Sequence, residues 1–199
     1  MMAIIVNKEE KRRAIALSCS ELLLEHGMGE LTISQIAETA GVGKGTIYEY
    51  FENKEDIVFE IIRTYMAEDE KKLFEITSEC QTTKEKLFHF LSFLFRDENS
   101  RHLNLYREFL AISLSHETKE MTAFSIGCKK RFATIVEQII DDAIARGEIA
   151  AQSRQLISAI LIFEKGIVVD SKVSALDANK EIRVFLDTFF ELIVIREEK

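Results

Sequence analysis

The sequence predicts an all-α protein, on three observations. Its 199 residues contain no proline, where an average usage of about 5% would supply roughly ten. Proline breaks helix interiors, so its absence suits a chain that is helical almost throughout. Glycine is unevenly placed: five of the eight stand between Gly27 and Gly45, and the others are Gly127, Gly147 and Gly166. Short elements with tight turns are therefore expected near the N-terminus, with long helices after them. Apolar residues also recur at i, i+3 and i+4, the spacing of one buried helix face. At 47% hydrophobic and 30% charged, the composition is globular, and the length allows one or two domains with a real core.

The elements follow in order. A first helix is expected over 7–26, with Gly27 just beyond its end, where positive φ costs glycine little. Thr32 opens a second, 32–40, and Gln35 three positions on completes a capping-box pattern. Gly41 follows, and a third short helix covers 44–50. Asn53 is a good N-cap for a fourth, whose stripe is Val58, Ile61, Ile62, Tyr65, Met66, Leu73 and Ile76. Five more are expected near 82–97, 101–115, 117–146, 151–173 and 177–197, about nine in all. The helix over 117–146 carries Met121, Phe124, Cys128, Phe132, Ile135, Val136, Ile139 and Ala143, and Gly147 ends it. The last carries Ile182, Phe185, Leu186, Phe189, Phe190 and Ile193 on one face, with Val184, Leu192 and Ile195 elsewhere.

Several function classes are poorly supported. Cys19, Cys80 and Cys128 are odd in number and lack C-x-x-C spacing, so neither a disulfide framework nor a zinc site is expected. His26, His89, His102 and His116 lack metal spacing, and no metal or cofactor is expected. The N-terminal apolar run is too short for a signal peptide, and the run Ala159–Phe163 is stopped by Glu164 and Lys165, far short of a membrane span. The expectation is a soluble, cytoplasmic protein with no membrane partner. The segment GVGKGT faintly resembles a phosphate loop, but Lys44 is followed by Gly45 and the preceding segment is helical in pattern. No nucleophile elbow or paired-carboxylate pattern supports an enzyme.

The informative stretch is TISQIAETAGVGKGTIYEYF, Thr32–Phe51. Ile33, Ile36, Ala37 and Ala40 form an inner face, Gly41 permits the turn, and Val42 plugs the angle. Ile47 and Phe51 anchor the second helix. A helix-turn-helix needs these features, and its second helix presents its N-terminal half to the major groove. The outward residues there are Lys44, Gly45, Thr46, Tyr48 and Tyr50, a mix that suits phosphates and base edges.

Over about Arg13 to Ile57 the sequence resembles the TetR family of bacterial transcriptional regulators. The likeness lies in ELLLEHG, I-A-x-x-A-G-V, K-G-T-x-Y-x-Y-F and N-K-E-D-I. The family commonly has an aromatic where this chain has Leu23, often another at Met28, and a serine-containing version of Gly43-Lys44-Gly45. The resemblance implies an N-terminal three-helix helix-turn-helix DNA-binding domain over 1–53. It implies a larger helical ligand-binding and dimerisation domain over 54–199. Thr32 would bind phosphate, and Lys44, Gly45 and Thr46 would face the groove. Tyr48 and Tyr50 would touch phosphate or bases, and Lys54 would clamp a phosphate. That last role has independent support, because helix N-termini attract anions. Lys11, Arg12 and Arg13 could meet the DNA backbone or form a solvated helix end.

Most of the phenylalanines of the second half are expected in its core. The resemblance implies that some line an effector pocket, with Phe93, Tyr106, Phe109, Phe132 and Phe163 as candidates and Arg96 or Glu108 as polar handles. Apolar residues nearly encircle the helix over 151–173, and such a helix must be buried. A two-fold four-helix interface is favoured, built from Leu156, Ile160, Phe163, Ile167, Phe185, Phe189 and Ile193; a deeper monomer core is the alternative.

The expectation is thus a homodimeric repressor that binds a near-palindromic double-stranded DNA operator. A small apolar or amphipathic effector would release it. The alternative is a helical small-molecule-binding or interaction protein that has lost operator binding. The net charge of −8 bears on this. Residues 1–54 hold six Lys or Arg against eight Glu, a balance of −2, so even the DNA-binding part is not globally basic. Weak non-specific binding and an operator-selective protein are expected.

Overall fold

The computed structural model describes residues 8–115 and 118–194, with ten α-helices and three 3-10 turns among them. The expected helix ends at 7, 117 and 197, together with His116 and Ile195, lie outside the described residues. Extended pairing among the described residues is limited to an isolated bridge between Ile149 and Val194.

By its contacts the chain forms two compact units. One takes in the chain to Glu68 together with Asn104–Thr122; the other takes in Asp69–Leu103 and the chain from Ala123 onward. In the first unit the helix expected over 7–26 is two helices, α1 (Lys8–Ser18) and α2 (Ser20–Glu30). The break falls at Cys19, with φ −93° and ψ 0°. Ser18 Oγ donates to the Ile15 carbonyl at 2.7 Å, and Ser20 Oγ to the Leu17 carbonyl at 2.7 Å. Such side-chain bonds compete with the helix ladder and bend it. Gly27, at φ +66°, interrupts α2 as expected of a helix-ending glycine. A Cβ there would stand 3.1 Å from Glu108 Oε1, so the position is held to glycine by space as well as by backbone.

Next come α3 (Ile33–Thr39), α4 (Lys44–Tyr50) and α5 (Lys54–Glu79). Ile15, Cys19, Leu23, Ile36, Ala37, Ile47, Phe51 and Ile57 are buried in this unit. Asn53 caps α5 as expected, accepting from the Asp56 N–H at 2.8 Å.

In the second unit α6 (Thr83–Ser92) opens with its own capping box, Thr82 with Glu85. It ends five residues before the expected 97, because Phe93–Phe95 and Asp97–Asn99 are 3-10 turns. Arg96 between them is extended, and Asn99 Nδ2 donates to the Phe93 carbonyl at 2.7 Å. Then come α7 (Ser100–Ser115) and α8 (Lys119–Ala145), and Gly147 turns the chain at φ +70°. The helix expected over 151–173 begins as a 3-10 turn, Ala151–Leu156, before α9 (Ile157–Val173); α10 (Ala178–Ile193) follows.

Leu87, Leu91, Val136, Ile140, Ile160, Ile182 and Leu186 lie at the centre of this second core. α6 packs on α10, with Lys84 Nζ 2.5 Å from Asp187 and the Arg183 guanidinium 4.3 Å over the Phe88 ring. His102 Nδ1 stands 2.5 Å from Asp69 Oδ1, the two nearly buried together. His89 Nδ1 lies 2.9 Å from Arg96 Nη2. Burial first, and then the Arg96 charge, hold that imidazole below its ordinary pKa, so it accepts from the guanidinium.

The apolar faces of α9 and α10 divide between the interior of the chain and its surface. Phe163, Phe185 and Phe189 stack in a column, with centroids 4.1 and 5.6 Å apart. Ile160, Ile167, Phe189 and Ile193 are buried within the single chain, and Phe163 and Phe185 are half-buried beside them. The periodicity was common to both sides of these helices, and α6 takes one side of α10. The apolar residues left outside are Ile162, Val169 and Val173 on α9 and Val184 and Leu192 on α10, with Leu156 at the margin.

Candidate nucleic-acid interface

α3 and α4 are seven residues each, too short to be stable alone, so the corner between them must be fixed by its surroundings. Thr32 N–H donates to Gln35 Oε1 at 2.9 Å, and the Gln35 N–H donates to Thr32 Oγ1 at 3.3 Å. The Thr32 hydroxyl also donates to Gln35 Oε1 at 2.6 Å, so it already has partners within the chain. Thr32→Ala is expected to cost about 1 kcal/mol of stability, by loss of the cap. Urea unfolding of the DNA-free protein checks this, and an unchanged midpoint would refute it. Gly41, at φ +65°, makes the turn, and the Val42 N–H closes it on the Ala37 carbonyl at 2.9 Å.

Beyond the turn, Ile47 points inward and is fully buried, as is Phe51 one turn on. Lys44 and Gly45 are exposed, and Tyr48 is 62% exposed. Thr46 and Tyr50 are half-buried. Tyr50 faces α1, where the ammonium groups of Lys8 and Lys11 lie 6.0 and 5.9 Å from its ring centre. Lys8 and Tyr50, with Glu9, Arg12 and Glu49, border an open groove.

Two cations of this region have partners inside the chain. Lys54 Nζ donates to the carbonyls of Met28, Gly29 and Leu31 at 3.0, 3.3 and 3.4 Å. It holds the end of α2 and the path into α3, so a phosphate there would compete with three internal acceptors. Arg12 is turned inward. Its Nη2 is 2.6 Å from Asp56 Oδ1 and its Nε 3.1 Å from Glu60 Oε2, Nη1 donates to the Tyr50 carbonyl, and the group lies 4.4 Å from the Phe51 ring centre. Burial lowers the guanidinium pKa, but the bonds to Asp56 and Glu60 outweigh that and raise it. Helical spacing could have placed Arg12: it is three, four and seven positions before the buried Ile15, Ala16 and Cys19. Lys11 and Arg13 fall off that face; Arg13 pairs with Glu68 at 2.8 Å.

The effector-pocket candidates divide between the units. Phe93, Arg96, Phe132 and Phe163 belong to the second, Tyr106 and Phe109 to the first, as does Glu108. Phe93 and Phe109 are buried. Arg96 lies over the Phe93 ring at 5.9 Å, and Phe132 meets Phe90 edge-on at 6.3 Å. Among the described residues no group of three or more His, Cys, Asp or Glu is placed to hold a metal ion. None of the described helices is long and apolar enough to cross a membrane.

A short exposed helix, set by a glycine turn on a capped partner and anchored by buried Ile47, defines a helix-turn-helix DNA-binding protein. The description "Bacterial regulatory proteins, tetR family" matches residues 20–61. The chain is 32% identical over 147 residues to the fatty acid metabolism regulator protein of Bacillus subtilis, covering 71% of this chain and 72% of that one. It is 45% identical over 53 residues to the HTH-type transcriptional repressor BepR of Brucella suis, covering 27% of this chain and 25% of that one. The fold matches the crystal structure of the regulator FadR from Bacillus subtilis in complex with stearoyl-CoA, with TM-score 0.69 and 26% identity, covering 87% and 95% of the two chains. The chain belongs to the tetR family of bacterial regulatory proteins, and it is a DNA-binding transcriptional regulator.

Proposed function

We propose that this regulator is a repressor that binds a near-palindromic operator as a homodimer. A small amphipathic effector releases it, and that effector is a long-chain acyl thioester. Residues 1–53 carry DNA binding, and 54–199 carry effector binding and dimerisation. The DNA reading is carried by the outer face of α4, which exposes Lys44, Gly45 and Tyr48 around buried Ile47. Thr46 and Tyr50 flank them, and Thr32 and Lys54 serve first as internal clasps that shape the surface. Two such helices enter successive major grooves ~34 Å apart.

The effector class is supported by the likeness to a fatty acid metabolism regulator and by the related fold determined with stearoyl-CoA. Phe93 and Phe132 offer apolar wall, and Arg96 a cation for an anionic head. The dimer uses the outer faces of α9 and α10. Effector and operator then weaken each other by one common factor, about 5- to 150-fold for a typical allosteric coupling.

Footprinting on the DNA upstream of the protein's own gene, followed by titration with stearoyl-CoA, tests the proposal. A symmetric protected stretch lost on adding stearoyl-CoA is expected. Equal affinity of stearoyl-CoA for free and DNA-bound protein would sink the effector. No protection at low salt, from a folded dimer, would favour a binding protein that has lost its operator.

A further inference from the structure

We propose that Arg12 is the positioning residue of the recognition helix: it ties the last carbonyl of α4 to the first turns of α5, and operator affinity depends on it without its touching DNA. This rests on the DNA-binding reading above. A seven-residue helix cannot hold its own direction, and its last carbonyls have no partner inside it. Ile47 and Phe51 anchor α4 by apolar burial, which is non-directional. The directional contact is at Tyr50, whose carbonyl accepts from Arg12 Nη1.

The other two guanidinium nitrogens bind α5, at Asp56 and Glu60. Asp56 extends the network, because its Oδ2 accepts from the Glu52 N–H at 3.3 Å in the turn between the helices. One planar group thus meets α4, the turn and two successive turns of α5, all from α1. Lysine could not do this, since it lacks the rigid fork and the flat face that lies on Phe51.

The same geometry argues against a phosphate contact. The side chain is 23% exposed, each of its three nitrogens has an acceptor, and its charge is met by Asp56 and by Glu60, whose Oε2 also accepts from Arg63 at 3.2 Å. Lys8 and Lys11 are exposed on the same helix.

The experiment measures affinity for the footprinted upstream duplex and for a scrambled duplex across a salt series. It uses the wild type, Arg12→Gln, Arg12→Lys, Glu60→Gln and the Arg12→Gln/Glu60→Gln double variant. The clamp predicts that Arg12→Gln loses at least tenfold in operator affinity with its salt slope unchanged. Arg12→Lys, which keeps the charge, fails to restore it, and the double variant loses less than the sum of the singles. A phosphate contact predicts instead a slope lower by about 0.9 for each head and a similar loss on both duplexes.

Glu60→Gln is decisive even if Arg12→Gln unfolds, which circular dichroism would show. Removing a negative charge beside DNA should by simple electrostatics strengthen binding, whereas the clamp predicts a several-fold loss. Tighter operator binding by Glu60→Gln, additive losses, a lowered slope or wild-type affinity in Arg12→Gln each overturns the proposal. Wild-type protein that binds neither duplex overturns the DNA-binding reading, and this inference with it.

Discussion

Ile47→Ala is expected to cost about 2–5 kcal/mol of stability and to abolish operator binding. Ile47 is 0% exposed and is the buried anchor of α4. Its removal leaves a cavity that a seven-residue helix clamped at Tyr50 cannot close by sliding. A small folded unit holds about 5–15 kcal/mol in all, so this one change takes a large share of it. Ile47→Val is the graded control, expected at about 0.5–1.5 kcal/mol with operator binding kept. Urea unfolding and a gel shift on the same samples check both. An Ile47→Ala protein with the wild-type midpoint would show that α4 is anchored elsewhere.

The second large effect is expected at the outer face of α9. Ile162 is 64% exposed and Val169 46%, one turn either side of Gly166. On α10, Leu192 is 80% exposed. In a single chain these residues lie largely in solvent. An Ile162→Asp/Val169→Asp double variant should therefore leave the unfolding midpoint within about 0.5 kcal/mol in free-energy terms. If this seam joins two copies, four buried carboxylates across it are prohibitive, and the protein should sediment as a monomer. Operator affinity should then fall by about 10²–10⁴, because the second head no longer binds at high effective concentration. A variant that still sediments as a dimer would place the interface elsewhere. By contrast, Ile160→Asp strikes the core and should unfold the second unit whatever the oligomeric state.

Much of the fold and the central corner was legible because their signals are local. A capping box needs Thr32 and Gln35 three apart. A left-handed turn favours a glycine, as at Gly27, Gly41 and Gly147, although Ala175 also adopts φ +51°. The inner face of the corner follows from helical spacing, and Ile36, Ala37, Ile47 and Phe51 are all buried. The break at Cys19 was not legible, because serines bend a helix only when their hydroxyls turn back onto it. The early end of α6 was hidden for a related reason: the Asn99 side chain that holds Phe93 lies beyond the helix itself.

The sequence by itself determined the helical content, the helix-turn-helix and its resemblance to one family, and the acidic balance. Those properties reside in short-range spacing and in counts, which survive without a partner. Tertiary structure decided how the charges and the apolar faces are used. Of the head's six cations, Arg12 and Lys54 are engaged inside the chain and Arg13 is paired with Glu68. The outward positive charge is therefore smaller than the count implied, which sharpens the expectation of selective, weakly sticky binding. Likewise, the stripes of α9 and α10 were clear, but not which stripe meets α6 and which is left outside. The physical reason is the same in both cases. Periodicity fixes the direction in which a side chain leaves its helix, whereas its partner comes from an element remote in the chain, and a long cation can reach several.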